Sequence, residues 1–262
     1  MGNFVLTTND WVHLQKEGKA IDVLSDNAVA RFDSTMLGLG DISKASQPIQ
    51  AVAAIFDLEG FTAFCSQIEP QFAIPVFLTR FLGWLIDELK KETIEAEYPA
   101  GVKVSHPLPF FVKFLGDGIL VLWNSDKMSQ RILQNLVVSV SGICAKYREA
   151  LVPELKKMVS EPPSRLRCGI ARGTVLPVGD SADYVGTCIN MAARIQKLPG
   201  VTVVFNRRGF LLEGTDANPL ILERFQIKNV VVPGIGGGEL IGVLKTDLAA
   251  MPTQQTELYR PV

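Results

Sequence analysis

The chain has 262 residues, 47% hydrophobic and 20% charged, enough to bury one sizeable core. Its 26 basic and 27 acidic residues leave a formal net charge of −1, so no whole-chain field points to nucleic acid. Four cysteines with no C-x-x-C pair, and only two histidines, argue against a zinc framework and for buried free thiols.

The opening residues lack the basic-then-apolar pattern of a signal peptide. No apolar run approaches the roughly 20 residues that cross a bilayer. A soluble, cytoplasmic chain without a membrane span is expected. Residues 1–50 have mixed polarity and read as an N-terminal extension, an arm or a partner surface, with a loop over Leu37–Pro48.

Ala51–Phe56 (AVAAIF) is a short apolar run with the pattern of a buried strand, followed by Asp57 and, three residues later, Gly60. An aspartate there has two readings. It starts a turn, or it holds a metal ion. In the second reading the amides of Glu59, Gly60, Phe61 and Thr62 are placed to meet a phosphate. Ile74–Leu89 repeats apolar residues at helical spacing and reads as a core helix. In Pro107–Trp123, two apolar runs flank Gly116-Asp117-Gly118, the pattern of a hairpin with a tight tip. Ser129–Tyr147 returns to helical periodicity and Glu161-Pro162-Pro163 ends that unit. Leu166–Val178 reads as a strand, Asp183–Gly186 as a short segment, Thr187–Leu198 as a helix and Val201–Phe205 as a strand. Phe225–Val232 with Glu239–Leu244 reads as a closing hairpin. Gly234–Gly238 lacks the following helix that a dinucleotide fingerprint needs, so it reads as that hairpin's loop. Strands, hairpins and helices together predict an α+β fold, a mostly antiparallel sheet with helices packed against it. The expected catalytic domain covers residues 51–246, and 247–262 form a polar tail that is expected to fray after Met251.

Asp57 at one strand end and Asp117 at a hairpin tip would repel each other unless a cation lay between them. Hard oxygen donors and few histidines point to Mg²⁺ or Mn²⁺. A pair of such ions suits in-line attack on phosphorus.

DLEGFT, KFLGDG and DYVGTCINMAAR resemble the three signature blocks of the class III nucleotidyl cyclases, the adenylyl/guanylyl cyclase catalytic domain. The resemblance extends over Ala51 to Leu244. It implies a ferredoxin-like cyclase fold and the following roles. Asp57 and Asp117 hold two divalent cations, Mn²⁺ or Mg²⁺, with the backbone carbonyl of Leu58 as a further ligand. Lys113 and Asp183 read the base, Asn190 orients the ribose, and Arg194 reaches the phosphates. The family pairs its domains head to tail, so a homodimer with two composite sites is implied. The implied reaction joins the ribose 3′ oxygen to the α-phosphorus of a nucleoside triphosphate and releases pyrophosphate.

Lysine only donates hydrogen bonds and ionised aspartate only accepts them. That pattern fits adenine, cytosine and uracil better than guanine. Phe56 and Tyr184, beside Asp57 and Asp183, are bulky enough to narrow a base pocket, or else are core residues. The DLEGFTAFC block and compact layout resemble the bacterial pyrimidine cyclases of the Pycsar antiphage system. UTP is therefore the expected substrate. An adenylate cyclase and an inactive, nucleotide-binding cyclase homologue are the alternatives.

Overall fold

The computed structural model describes residues 5–16, 18–99, 101–180, 183–212 and 217–262. The chain divides into two units, residues 1–48 with 176–185, and residues 49–175 with 186–262.

In the first unit, β1 (Trp11–Lys16) and β2 (Lys19–Leu24) form an antiparallel hairpin, followed by the short helix α1 (Asp26–Ala30). Ser25 caps that helix by accepting from the Ala28 amide at 3.2 Å. Lys44 Nζ lies 2.7 Å from Asp180 Oδ1, joining the loop before residue 48 to the second segment of the unit.

From residue 49 onward the expected elements appear in the expected order, with shifted ends and further short elements between them. β3 (Ile49–Glu59) runs two residues past Asp57, so this aspartate lies within the strand rather than ending it. Then come α2 (Phe61–Cys65), α3 (Pro70–Thr93), a small hairpin of β4 (Ile94–Tyr98) and β5 (Gly101–Val104), β6 (Phe111–Phe114) and β7 (Gly118–Asn124). α4 (Gln130–Lys146) continues through a π-helical turn, Tyr147–Leu151, into α5 (Val152–Leu155). β8 (Arg165–Val178), β9 (Asp183–Gly186), α6 (Thr187–Ile195), β10 (Val203–Asn206), α7 (Pro219–Arg224), β11 (Phe225–Val231), β12 (Gly238–Leu244), α8 (Lys245–Ala250) and α9 (Thr253–Thr256) complete the chain. Among the described residues, no helix is long and apolar enough to cross a membrane.

The main sheet has the order β11-β12-β10-β8-β3-β7-β6, with β9 on β8, and along that order β10/β8 is parallel while the other pairs are antiparallel. This is the mostly antiparallel α+β architecture read from the sequence. Successive side chains on a strand face opposite ways. On β3, Val52, Ala54, Phe56 and Leu58 enter one core with Phe77, Phe81 and Leu85 of α3 and Leu136 and Val140 of α4. The opposite sheet face carries Ile55 and Asp57. Its neighbours across the register there are Gly118 and Leu120 of β7, Lys113 of β6, and Arg167 and Gly169 of β8.

That second face is covered in part by α6. A Cβ on Gly169 would strike the backbone carbonyl of Ala192, and one on Gly173 would sit 3.2 Å from the Cys188 Cβ. Two glycines in β8 therefore let the helix rest directly on the strand. The tail departs from expectation. Tyr259 is buried beside Val230 and Val243, and its hydroxyl donates to the Pro199 carbonyl at 2.6 Å. An aromatic ring with one hydroxyl anchors a segment whose average polarity predicts fraying.

Candidate functional site

The backbones of Asp57 and Asp117 are neighbours, one within β3 and the other at the turn before β7. Asp57 lies opposite Gly118 in the β3/β7 register, and the Leu58 amide donates to the Asp117 carbonyl at 3.0 Å. Gly116, with φ +101°, makes the tight tip. Gly118 needs its missing side chain for another reason, since a Cβ there would lie 2.6 Å from the Phe56 carbonyl oxygen. Asp57 is 8% exposed, whereas Asp117 is exposed.

The sequence reading missed Arg167. It faces Asp57 across the β3/β8 register and donates to Asp57 Oδ2 from Nη2 at 2.5 Å and from Nε at 3.2 Å. One register pair further, Arg165 Nε donates to Glu59 Oε2 at 2.5 Å, and Arg167 Nη1 is 3.8 Å from Glu59 Oε1. The available signal was alternation. Arg165 and Arg167 flank the apolar Leu166 in a strand that buries Leu166 and Cys168. Such positions on a half-buried strand share the face opposite the core.

A guanidinium held against Asp57 shows that this carboxylate receives positive charge. Among the described residues no group of three or more His, Cys, Asp or Glu side chains could by itself hold a metal ion. One carboxylate on β3 and one at the neighbouring hairpin tip would suit a Mg²⁺- or Mn²⁺-type ion whose remaining ligands are water and substrate phosphate, rather than an all-protein cage. Asp57, Asp117 and the Leu58 carbonyl are the atoms that would hold it.

Lys113 lies on β6, on the same sheet face as Asp57, and is half-buried. Phe56 is a correction. It is fully buried in the core beneath α3 and α4, because the residue next to Asp57 on a strand points to the other face. It cannot shape a pocket that Asp57 enters. Glu59 ends β3, Gly60 precedes α2 with φ +88°, and Phe61 packs 6.0 Å from the rings of Phe64 and Phe77. Thr62 is exposed in α2. Asp183 and Tyr184 belong to the first unit, where both are half-buried and the Tyr184 amide donates to Asp183 Oδ1 at 2.9 Å.

Asn190 and Arg194 are one turn apart on α6 and line a single cavity of about 390 Å³ with Asn206, Arg208 and Glu239. Arg194 Nη1 donates to the Pro233 carbonyl at 2.5 Å. Gly234, with φ +76°, has no room for a Cβ because the Arg194 guanidinium occupies that space. The glycine-rich loop of the last hairpin thus shapes itself around this arginine. Arg208 and Asn206 had no motif to mark them. Cys188, in the same cavity wall, is buried, and burial pushes its thiol up to about 11, so it is an inert packing group.

No family model matches the chain, and no curated protein matches it. Solved structures do. The guanylyl cyclase Cya2 superposes with a TM-score of 0.55 at 18% identity, covering 77% of this chain and 94% of that one. The guanylate cyclase domain of RhGC from Catenaria anguillulae gives 0.48 at 15%, over 75% and 97%. A bacterial light-regulated adenylyl cyclase gives 0.48 at 12%, over 87% and 62%. The likeness to Cya2 establishes the fold, the α+β fold of nucleotidyl cyclase catalytic domains.

Proposed function

We propose that the chain is a class III-type nucleotidyl cyclase that converts a nucleoside triphosphate to its 3′,5′-cyclic monophosphate and pyrophosphate. One observation carries the reading. On a cyclase fold, strand register sets Asp57 beside the Asp117 tip, on the sheet face that Lys113 shares and α6 covers in part.

Asp57 and Asp117 offer anionic oxygen to divalent cations, which supply charge neutralisation at the phosphates when bound. Asn190 orients the ribose, and Arg194 donates to phosphate oxygens as negative charge builds in the transition state. Lys113 and Asp183 read a base that presents an acceptor beside a donor. Positioning and fixed charge supply most of the rate. The two half-sets of residues act across a head-to-tail homodimer, giving two equivalent sites.

UTP is the proposed substrate and a pyrimidine-cyclase role in antiphage defence the proposed setting, from the form of the signature blocks. Tyr184 remains as the residue to narrow the base pocket. ATP is the second reading, since the Lys113/Asp183 pattern fits adenine equally well.

The test offers ATP, GTP, CTP and UTP separately with Mn²⁺ and identifies each product by mass. Cyclic UMP is expected, and Asp57→Ala abolishes it. Mixing Asp57→Ala with Arg194→Ala restores part of the activity, because one of the two mixed sites keeps all its residues. Cyclic AMP as the main product overturns the UTP assignment alone. No product from any triphosphate overturns the enzyme, and no recovery on mixing overturns the shared sites.

A further inference from the structure

A second cavity, of about 680 Å³, opens where β3 ends and β8 begins. It shares no lining residue with the Asn190–Arg194 cavity. Arg148, Lys156 and Arg165 bring three cations to its wall, Glu59 brings one carboxylate, and Ser164 adds a hydroxyl. Its lining residues therefore carry an excess of positive charge, with Arg148 also pairing with Glu149 beside the cavity at 3.3 Å. Glu59 is already engaged, accepting from Arg165 and lying 3.8 Å from Arg167. Lys156 has no ion pair among the described residues.

The local backbone builds this arrangement. Pro153, near the start of α5, has no N–H for the Glu149 carbonyl and its ring crowds that oxygen, so the regular i→i−4 ladder is interrupted there. The chain answers with the π turn Tyr147–Leu151. Such wide turns are frequent at functional sites. Arg148, Val152 and Lys156, spaced by four, then line one wall. Val152 and Pro153 give that wall an apolar strip between the two cations.

We infer that this cavity binds a phosphate group, with Arg148 and Lys156 as its principal donors and Arg165 and Ser164 completing the set. A guanidinium and an ammonium suit the tetrahedral dianion, and the apolar strip accommodates whatever carries it. The site goes beyond the cyclase reading, since none of its donors belongs to the proposed catalytic set.

Isothermal calorimetry on the full chain, without metal, tests it with two probes, inorganic phosphate and uridine 5′-monophosphate. At least one should bind the wild type, and the Arg148→Ala/Lys156→Ala variant should weaken that binding at least tenfold while melting at an unchanged temperature. Of the binding that the double variant weakens, tighter binding of the monophosphate identifies an organic phosphate, and tighter binding of the inorganic anion identifies the free ion. No heat from either probe at millimolar concentration overturns the proposal, as does equal affinity in the double variant. Because the readout is binding, the result stands whether or not the chain turns over a nucleotide.

Discussion

Replacing Arg167 by glutamine should make the protein less stable and better at holding a divalent cation. Arg167 places two donors on one oxygen of Asp57, at 2.5 and 3.2 Å, and the two side chains are only 19% and 11% exposed. Charge-assisted hydrogen bonds of this kind contribute about 1.5–3 kcal/mol net. A cation that takes Oδ2 has to displace these donors, so the same energy is subtracted from its binding. Removing the guanidinium returns it, which corresponds to roughly ten- to a hundredfold tighter binding. Folding loses about the same amount, because Asp57 is left nearly buried without its partner. Mn²⁺ binding measured by the electron paramagnetic resonance of the free ion, with no nucleotide present, gives the first quantity, and thermal melting without metal gives the second. The two effects have opposite signs. If Arg167→Gln left Mn²⁺ affinity unchanged or weakened it, the arginine would not be competing for the carboxylate and the reasoning would fail.

His106 should make stability fall in mild acid. Burial lowers its pKa from the ordinary 6.5; Nδ1 donates to the Pro107 carbonyl and Nε2 is buried without a partner, so protonation would add an unmet N–H at Nε2. The unfolded chain takes up this proton first, so the contribution is intact above about pH 6.5 and is lost as pH falls below it. Melting temperature should drop between pH 7.5 and 5.5, and His106→Gln should flatten that slope. Gly169→Ala should strike the Ala192 carbonyl and lift α6, at a cost of about 1–3 kcal/mol. Melting should fall by about 3–10 °C, while Gly237→Ala, with open space around its Cβ position, should leave it unchanged.

The elements that were legible in the sequence are those whose signal is local. The Gly116-Asp117-Gly118 tip, the long apolar stripe of α3 and the glycine-rich last loop each follow from a few neighbouring residues, and each lies where expected. The β1/β2 hairpin was not legible. Its residues are exposed on both faces, or half-buried in the case of Val23, so no face had to be apolar and no clean alternation arose. Tyr259 was missed because its partners, Pro199 and Val230, are remote in sequence. Arg167 was missed for the same reason, since its meaning comes from Asp57, 110 residues away and adjacent only through register. Of the two readings of Phe56, the structure takes the core residue, because a strand sends sequence neighbours to opposite faces.

β8 carries two kinds of contact within a few residues of each other. Arg165 and Arg167 grip the carboxylates of β3, while Gly169 and Gly173 lie bare beneath α6. No side-chain layer separates this strand from the helix bearing Asn190 and Arg194 at these two positions. Arg165 and Arg167 thus anchor to β3 the same strand on which the polar helix is seated.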